Sequence, residues 1–155
     1  MMNDIQIRFA KVEEAATIGR LVVAMEQELW PEQQIDEAAF IQGAKSLLES
    51  EDSQFWAMVA ENSRKEIVGV LTLNECAAIY TAGKFGEIME IYILPELRSE
   101  GIGAQLIASA KFFGSEKGWP NLIVGTPAKS KWQQTYDFYI REGFRETGSR
   151  LELPL

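Results

Sequence analysis

Histidine is absent from this chain, and cysteine occurs once, at Cys76. Without an imidazole there is no Ser-His-Asp triad, no histidine to activate a cysteine nucleophile and no cluster of the usual zinc ligands. A lone cysteine closes no internal disulfide, so Cys76 reads as a small buried hydrophobe. No apolar run approaches the roughly 20 residues that cross a bilayer, and the opening Met1-Met2-Asn3-Asp4 has no charged-then-apolar leader pattern. Positive charge is also scarce. Fifteen Lys and Arg face 23 Asp and Glu, a net charge of −8 with an isoelectric point near 4.7. Such a surface repels nucleic-acid backbones, and no basic stripe interleaved with aromatics interrupts it. The expectation is a cytoplasmic protein with no metal, no nucleic-acid partner and no membrane association.

What is present is enough for one globular domain. The 155 residues are 46% hydrophobic and 25% charged, with no linker, repeat or low-complexity stretch, so residues 1–155 read as a single unit. Ile5–Phe9 alternates as a first strand, and Ile18, Leu21, Val22, Met25 and Leu29 recur at helical spacing up to Trp30-Pro31. Asp36 is a fitting N-cap for a second helix carrying Phe40, Ile41, Ala44, Leu47 and Leu48. Strands at 55–60 and 67–73 flank the polar turn Asn62-Ser63-Arg64-Lys65. A helix with Ile102, Leu106, Ala110 and Phe113 on one face stops at Gly118 and Pro120, and Leu122-Ile123-Val124 forms a short strand parallel to the one before that helix. Ser130 with Gln133 forms a capping box for a last helix that ends at Gly143, and an extended stretch follows from Phe144. The order is β-α-α-β-β-β-α-β-α-β: an α/β fold with a mostly antiparallel sheet and one parallel pair.

The rest is organised around residues 88–117. An apolar strand, Ile88–Ile93, leads through Pro95 to Arg98-Ser99-Glu100-Gly101-Ile102-Gly103-Ala104 and then into a helix. Gly101, Gly103 and Ala104 leave the backbone bare where that helix begins, so unpaired N–H groups and the positive end of its dipole face one point. Arg98 adds forked donors that suit a phosphate oxygen. A pyrophosphate is the expected guest, although glycines at this place also serve an ordinary tight turn. The spacing is neither the G-x-x-x-x-G-K-[ST] loop nor the G-x-G-x-x-G fingerprint of nucleotide sites.

The run resembles the R/Q-x-x-G-x-G/A signature of the GNAT superfamily, the acyl-CoA-dependent N-acyltransferases. The likeness extends back through Ile91-Tyr92-Ile93-Leu94-Pro95-Glu96 and forward along the helix to Gly118, and the order of elements fits over nearly the whole chain. It implies a central parallel strand pair that splays apart, with helices on both faces of the sheet. The pantetheine arm of acetyl-CoA would lie in the gap against Ile91, Tyr92 and Ile93, and its diphosphate would meet Arg98, Ser99, Glu100, Gly101, Ile102, Gly103 and Ala104. A bulge near Glu90-Ile91 would aim an N–H at the thioester carbonyl. Phe138-Tyr139-Ile140-Arg141-Glu142-Gly143-Phe144 looks like the family's F/L-Y-x-x-x-G-F stretch, which makes Tyr139 the acid that protonates the departing CoA thiolate. Trp132 stands where the family usually has asparagine, and Thr135 where alanine is usual, so the cofactor contact at 132 is not carried over.

The acceptor amine arrives as ammonium and must lose a proton before it attacks. Glu90 and Glu87, three apart and so on opposite faces of a regular strand, are the candidate bases, with Glu90 preferred. Trp30, Glu26 and Glu28 are candidates for the wall of the acceptor pocket. The function implied is acetyl transfer to a primary amine, small molecule or peptide, in a ternary complex. The alternative is a catalytically silent acyl-CoA-binding or assembly domain, and nucleotide binding in the same loop is a third. Little length follows the last helix, so a final sheet edge is expected to stay open or to be completed by a second subunit in a homodimer.

Overall fold

The computed structural model describes residues 4–155. Five strands follow one another across the sheet in chain order: β1 (Gln6–Phe9), β2 (Phe55–Glu61), β3 (Ile67–Ala78), β4 (Gly83–Ile93) and β5 (Leu122–Val124). The first four pair antiparallel and β5 runs parallel to β4, as a strand-helix-strand crossover requires. The helices are α1 (Ala15–Leu29), α2 (Glu37–Glu49), α3 (Ile102–Lys117) and α4 (Gln133–Arg141). Asp36 caps α2 by accepting the Ala39 N–H at 3.2 Å, as its position suggested.

Strand alternation divides the core into two layers. Leu71, Leu73 and Ile88 face α3 and pack with Ile102, Leu106, Ile107 and Ala110. Val59, Val70 and Tyr92 face the other way, against Ile18 and Leu21 of α1. Each of the fully buried aliphatic side chains contributes about 1.5–3 kcal/mol relative to exposure. Under α3 the two layers of sheet and helix are held close by Gly86, where a Cβ would stand 2.3 Å from the Trp119 ring. Trp119 is in turn fixed by its Nε1–H, which donates to Glu75 Oε2 at 2.7 Å.

Three expectations change. The β3–β4 hairpin is longer than the apolar runs implied, because polar Asn74 and Glu75 and the segment 83–87 continue the ladder to Ala78↔Gly83. The last helix begins at Gln133 with no side-chain cap, not at Ser130: residues 128–131 form a separate turn, with the N–H groups of Lys131 and Trp132 both on Ala128 O at 3.0 Å. The stretch after Phe144 forms no strand, so β5 is the sheet's last strand and the parallel pair lies at its margin.

Candidate active site

The parallel pairing of β4 with β5 ends at Ile88↔Val124. Beyond it, Met89 to Ile93 continue along β3 with no strand among the described residues on their other side. The Leu94 N–H donates to Val68 O at 3.0 Å. Alternation along an antiparallel strand then turns the backbone of Tyr92 toward β3 and leaves the N–H and C=O of Ile91 and Ile93 on the open edge, where the Ile93 C=O already accepts from Arg98 Nε. Tyr92 itself is buried against α1.

A bulge marks the parting point. Ile88 pairs with Leu73 and Glu90 with Thr72, so Met89 is the extra residue, one or two positions before the bulge expected from the sequence. This corrects one inference. Glu87 pairs with Asn74, two residues from Thr72, so the inserted residue returns Glu90 to the same face as Glu87, the face turned toward α1. The Glu90 N–H is taken by Thr72 Oγ1 at 3.0 Å, and the Thr72 hydroxyl donates to the Glu90 carboxylate. Next to it, alternation turns the Ile91 N–H to the side of β4 away from β3.

Burial pushes the Glu90 carboxyl above the ordinary carboxylate range; the Thr72 hydroxyl pulls it back, and the nearby Glu26 carboxylate raises it again. Glu26, on α1, is itself raised by burial. Glu26 and Glu90 are thus neighbouring carboxyls on the α1 face whose affinity for a proton burial raises, a setting that suits a general base. Glu87 is held differently: the Arg150 guanidinium, from the C-terminal stretch, donates to it. Cys76 is half-buried on the same face, accepting from Asn74 and lying 3.7 Å from Glu87 Oε1; burial raises its thiol, which keeps it protonated and a poor nucleophile.

The loop before α3 is shaped by two left-handed residues, Ser99 at φ 67° and Gly101 at φ 86°. The first intrahelical bond runs from Gln105 N to Gly101 O, and no side chain caps the helix. The N–H groups of Ile102, Gly103 and Ala104 are consequently unspent among the described residues, at the positive end of a 16-residue helix. Arg98 stands differently from the free phosphate ligand that the sequence suggested. Its Nη1 and Nη2 fork onto Glu28 at 2.6 and 2.8 Å, its Nε donates to Ile93 O at 3.0 Å, and its guanidinium lies 5.1 Å from the centre of the Tyr92 ring. Glu28 thus ties α1 to the loop, while Trp30 is half exposed beyond it. The exposed Glu100 has no partner among the described residues.

Helix α4 meets the first turn of α3 at Phe138, whose ring a Cβ on Gly103 would approach to 3.0 Å. The next residue is Tyr139. Its ring is 5% exposed and packs edge-on against Phe144. Its hydroxyl has no partner among the described residues and is not fully enclosed. Burial pushes the phenol up to about 12, and it stays protonated. Thr72 and Arg150 are the residues that sequence reasoning missed. For Thr72 a signal existed, a lone hydroxyl in the aliphatic run Val68–Leu73.

A sheet whose last parallel pairing stops short beside β4, followed by a helix start lined with amides, is a fold that the known families can be matched against. The chain belongs to the GNAT family of acetyltransferases, whose description, "Acetyltransferase (GNAT) domain", matches residues 51–146. Among its relatives is the aminoalkylphosphonate N-acetyltransferase of Salmonella typhimurium, 27% identical over 146 residues that cover 94% of this chain and 88% of that one. Among solved structures, a possible acetyltransferase from Clostridium difficile 630 superposes with a TM-score of 0.81 at 18% identity, covering 97% of each chain. An aminoglycoside N-acetyltransferase in complex with CoA superposes with a TM-score of 0.75 at 18% identity, over 99% of this chain and 95% of that one. The mixed, mostly antiparallel sheet with helices on both faces is the fold these neighbours share.

Proposed function

We propose that this chain transfers the acetyl group of acetyl-CoA to a primary amine by direct attack in a ternary complex. The observation that carries the reading is the bare Ile91–Ile93 edge ending beside three unspent amides of α3. An extended pantetheine adds to such an edge as a strand would, and a diphosphate suits the helix start. The absence of a side chain at Gly103 lets the Phe138 ring of α4 pack against the helix start that carries those amides.

Glu90 takes one proton from the ammonium, directly or through water, and frees the nitrogen lone pair. The nitrogen forms a bond to the thioester carbonyl carbon, whose oxygen faces the Ile91 N–H as it gains charge. The C–S bond then breaks. Tyr139 gives its proton to the sulfur, and the nitrogen's remaining surplus proton reloads the phenol. Burial keeps the phenol protonated until charge builds on the departing sulfur. No covalent enzyme intermediate is needed once amine and thioester are held together.

The acceptor is a small molecule or peptide amine. The Salmonella relative acts on aminoalkylphosphonates by name, and the acidic face of Glu26 and Glu90 suits an ammonium. The test is release of CoA thiol from acetyl-CoA across aminoalkylphosphonates, aminoglycosides, polyamines, lysine and peptide N-termini. One class should accelerate release at least tenfold over buffer. CoA binding with no acceleration by any amine overturns the enzymatic reading and leaves a binding domain.

A further inference from the structure

We infer that Thr72 is the positioning residue for Glu90, holding its carboxyl against β3 on the α1 face, just past the point where the β4–β5 pairing ends, and setting how readily it takes a proton. The inference rests on Glu90 as the base. Thr72 is 1% exposed in the middle of β3, between Leu71 and Leu73. A buried hydroxyl costs free energy unless it is bonded, and this one spends both of its capacities on a single residue. It accepts the Glu90 N–H, which the bulge takes out of the backbone ladder, and it donates to the Glu90 carboxylate. One side chain therefore fixes the bulge and the carboxyl together.

The consequence is chemical as well as structural. A donor on a carboxylate favours its charged form, against the burial that raises it. From α1 the charged neighbour is Glu26, which raises it further. On β4 Glu87 is paired with Arg150 of the C-terminal stretch, and beside Glu87 on β3 stands the Cys76 thiol. Among these groups Thr72 is the one that holds Glu90 toward the basic form. Valine has nearly the same shape and keeps the packing, but lacks the hydroxyl; serine keeps the hydroxyl.

The test is a carboxyl-carbon NMR titration of the full chain, with Glu90→Gln identifying the resonance, beside the pH profile of kcat/KM for the amine that the acceptor panel selects. In Thr72→Val the Glu90 titration and the acid limb of the profile move up by about one pH unit, the scale of one hydrogen bond to a charge. Thr72→Ser returns both to the wild-type position. In a Glu90→Gln background, Thr72→Val lowers the rate by less than about twofold, because the group it acts through is gone. An unmoved titration in Thr72→Val overturns this assignment even where Glu90→Gln is slow. A Glu90→Gln protein with full rate and unchanged profile overturns the base reading instead. If the valine protein does not fold, Thr72→Ala is titrated in its place: an upward shift supports the assignment and an unmoved titration overturns it.

Discussion

Replacing Tyr139 by phenylalanine separates chemistry from packing more cleanly than any other change in this protein. The ring is 5% exposed and supported by Phe138 and Phe144, contacts that phenylalanine preserves. The hydroxyl makes no hydrogen bond among the described residues, so its removal orphans no partner. Stability should stay within about 0.5 kcal/mol of wild type, and a thermal melt reads this directly. Turnover should not survive so well. A positioned general acid is worth on the order of 100-fold or more, about 2.7 kcal/mol of barrier. The assay is steady-state thiol release with saturating acetyl-CoA and amine, alongside calorimetric CoA affinity. The expected pattern is a fall in kcat of at least about 100-fold, with CoA affinity changed less than about threefold. Because burial holds the phenol near 12, any alkaline limb below about pH 10 belongs to another group. A Tyr139→Phe enzyme with kcat within about threefold of wild type refutes the assignment, whatever its stability.

Other consequences follow from the same geometry. Gly101 at φ 86° opens onto free space, so Gly101→Ala should cost about 1 kcal/mol from backbone strain alone, read by chemical denaturation. Gly103→Val should weaken CoA binding at least about tenfold by calorimetry, since its side chain meets the Phe138 ring and must shift the helix start that carries the three amides. Gly86→Ala drives a methyl into Trp119 and should lower stability by about 3 kcal/mol, a fall of roughly 6 °C or more in Tm. Arg98→Ala should cost about 1 kcal/mol at pH 7, where Glu28 is charged. Arg98 holds the Glu28 carboxyl below its ordinary value, so the contribution of the pair is complete above about pH 4.5 and fades as pH falls through the lowered folded value. The stability gap between Arg98→Ala and wild type should therefore narrow in acid.

Much of the architecture is legible in the order of residues alone. The alternation of Ile5–Phe9, the helical stripe from Ile18 to Leu29 and the stop at Gly118 are local patterns, and local patterns decide these elements. The loop at 98–104 is legible for the same reason: glycine spacing and the absence of a capping side chain are written in consecutive residues. What failed depended on partners far along the chain. Simple alternation separated Glu87 from Glu90, and only the register against β3 shows that Met89 is inserted between them. The Thr72 contact to Glu90 spans 18 positions, and the Glu28 fork that occupies Arg98 spans 70. The stretch after Phe144 has the alternation of a strand in Leu151-Glu152-Leu153, but pairing needs an edge in the right register, which the pattern does not encode. Tyr139 was reached through family likeness. Its stripe with Trp132, Tyr136 and Ile140 suggests packing alone, and the proposed chemical role rests on a hydroxyl left without a partner among the described residues on a buried ring.

The central claim is that an acyl-CoA thioester lies along the bare edge of β4 with its diphosphate on the α3 amides, ready for an amine. Measuring free thiol and acetylated amine together, from one reaction of the purified chain with acetyl-CoA and its best acceptor, addresses it most directly. The account predicts equal amounts of both products, formed at a rate that Gly103→Val and Tyr139→Phe each depress. Thiol appearing without acetylated amine, or equal products at undiminished rate in both variants, contradicts it.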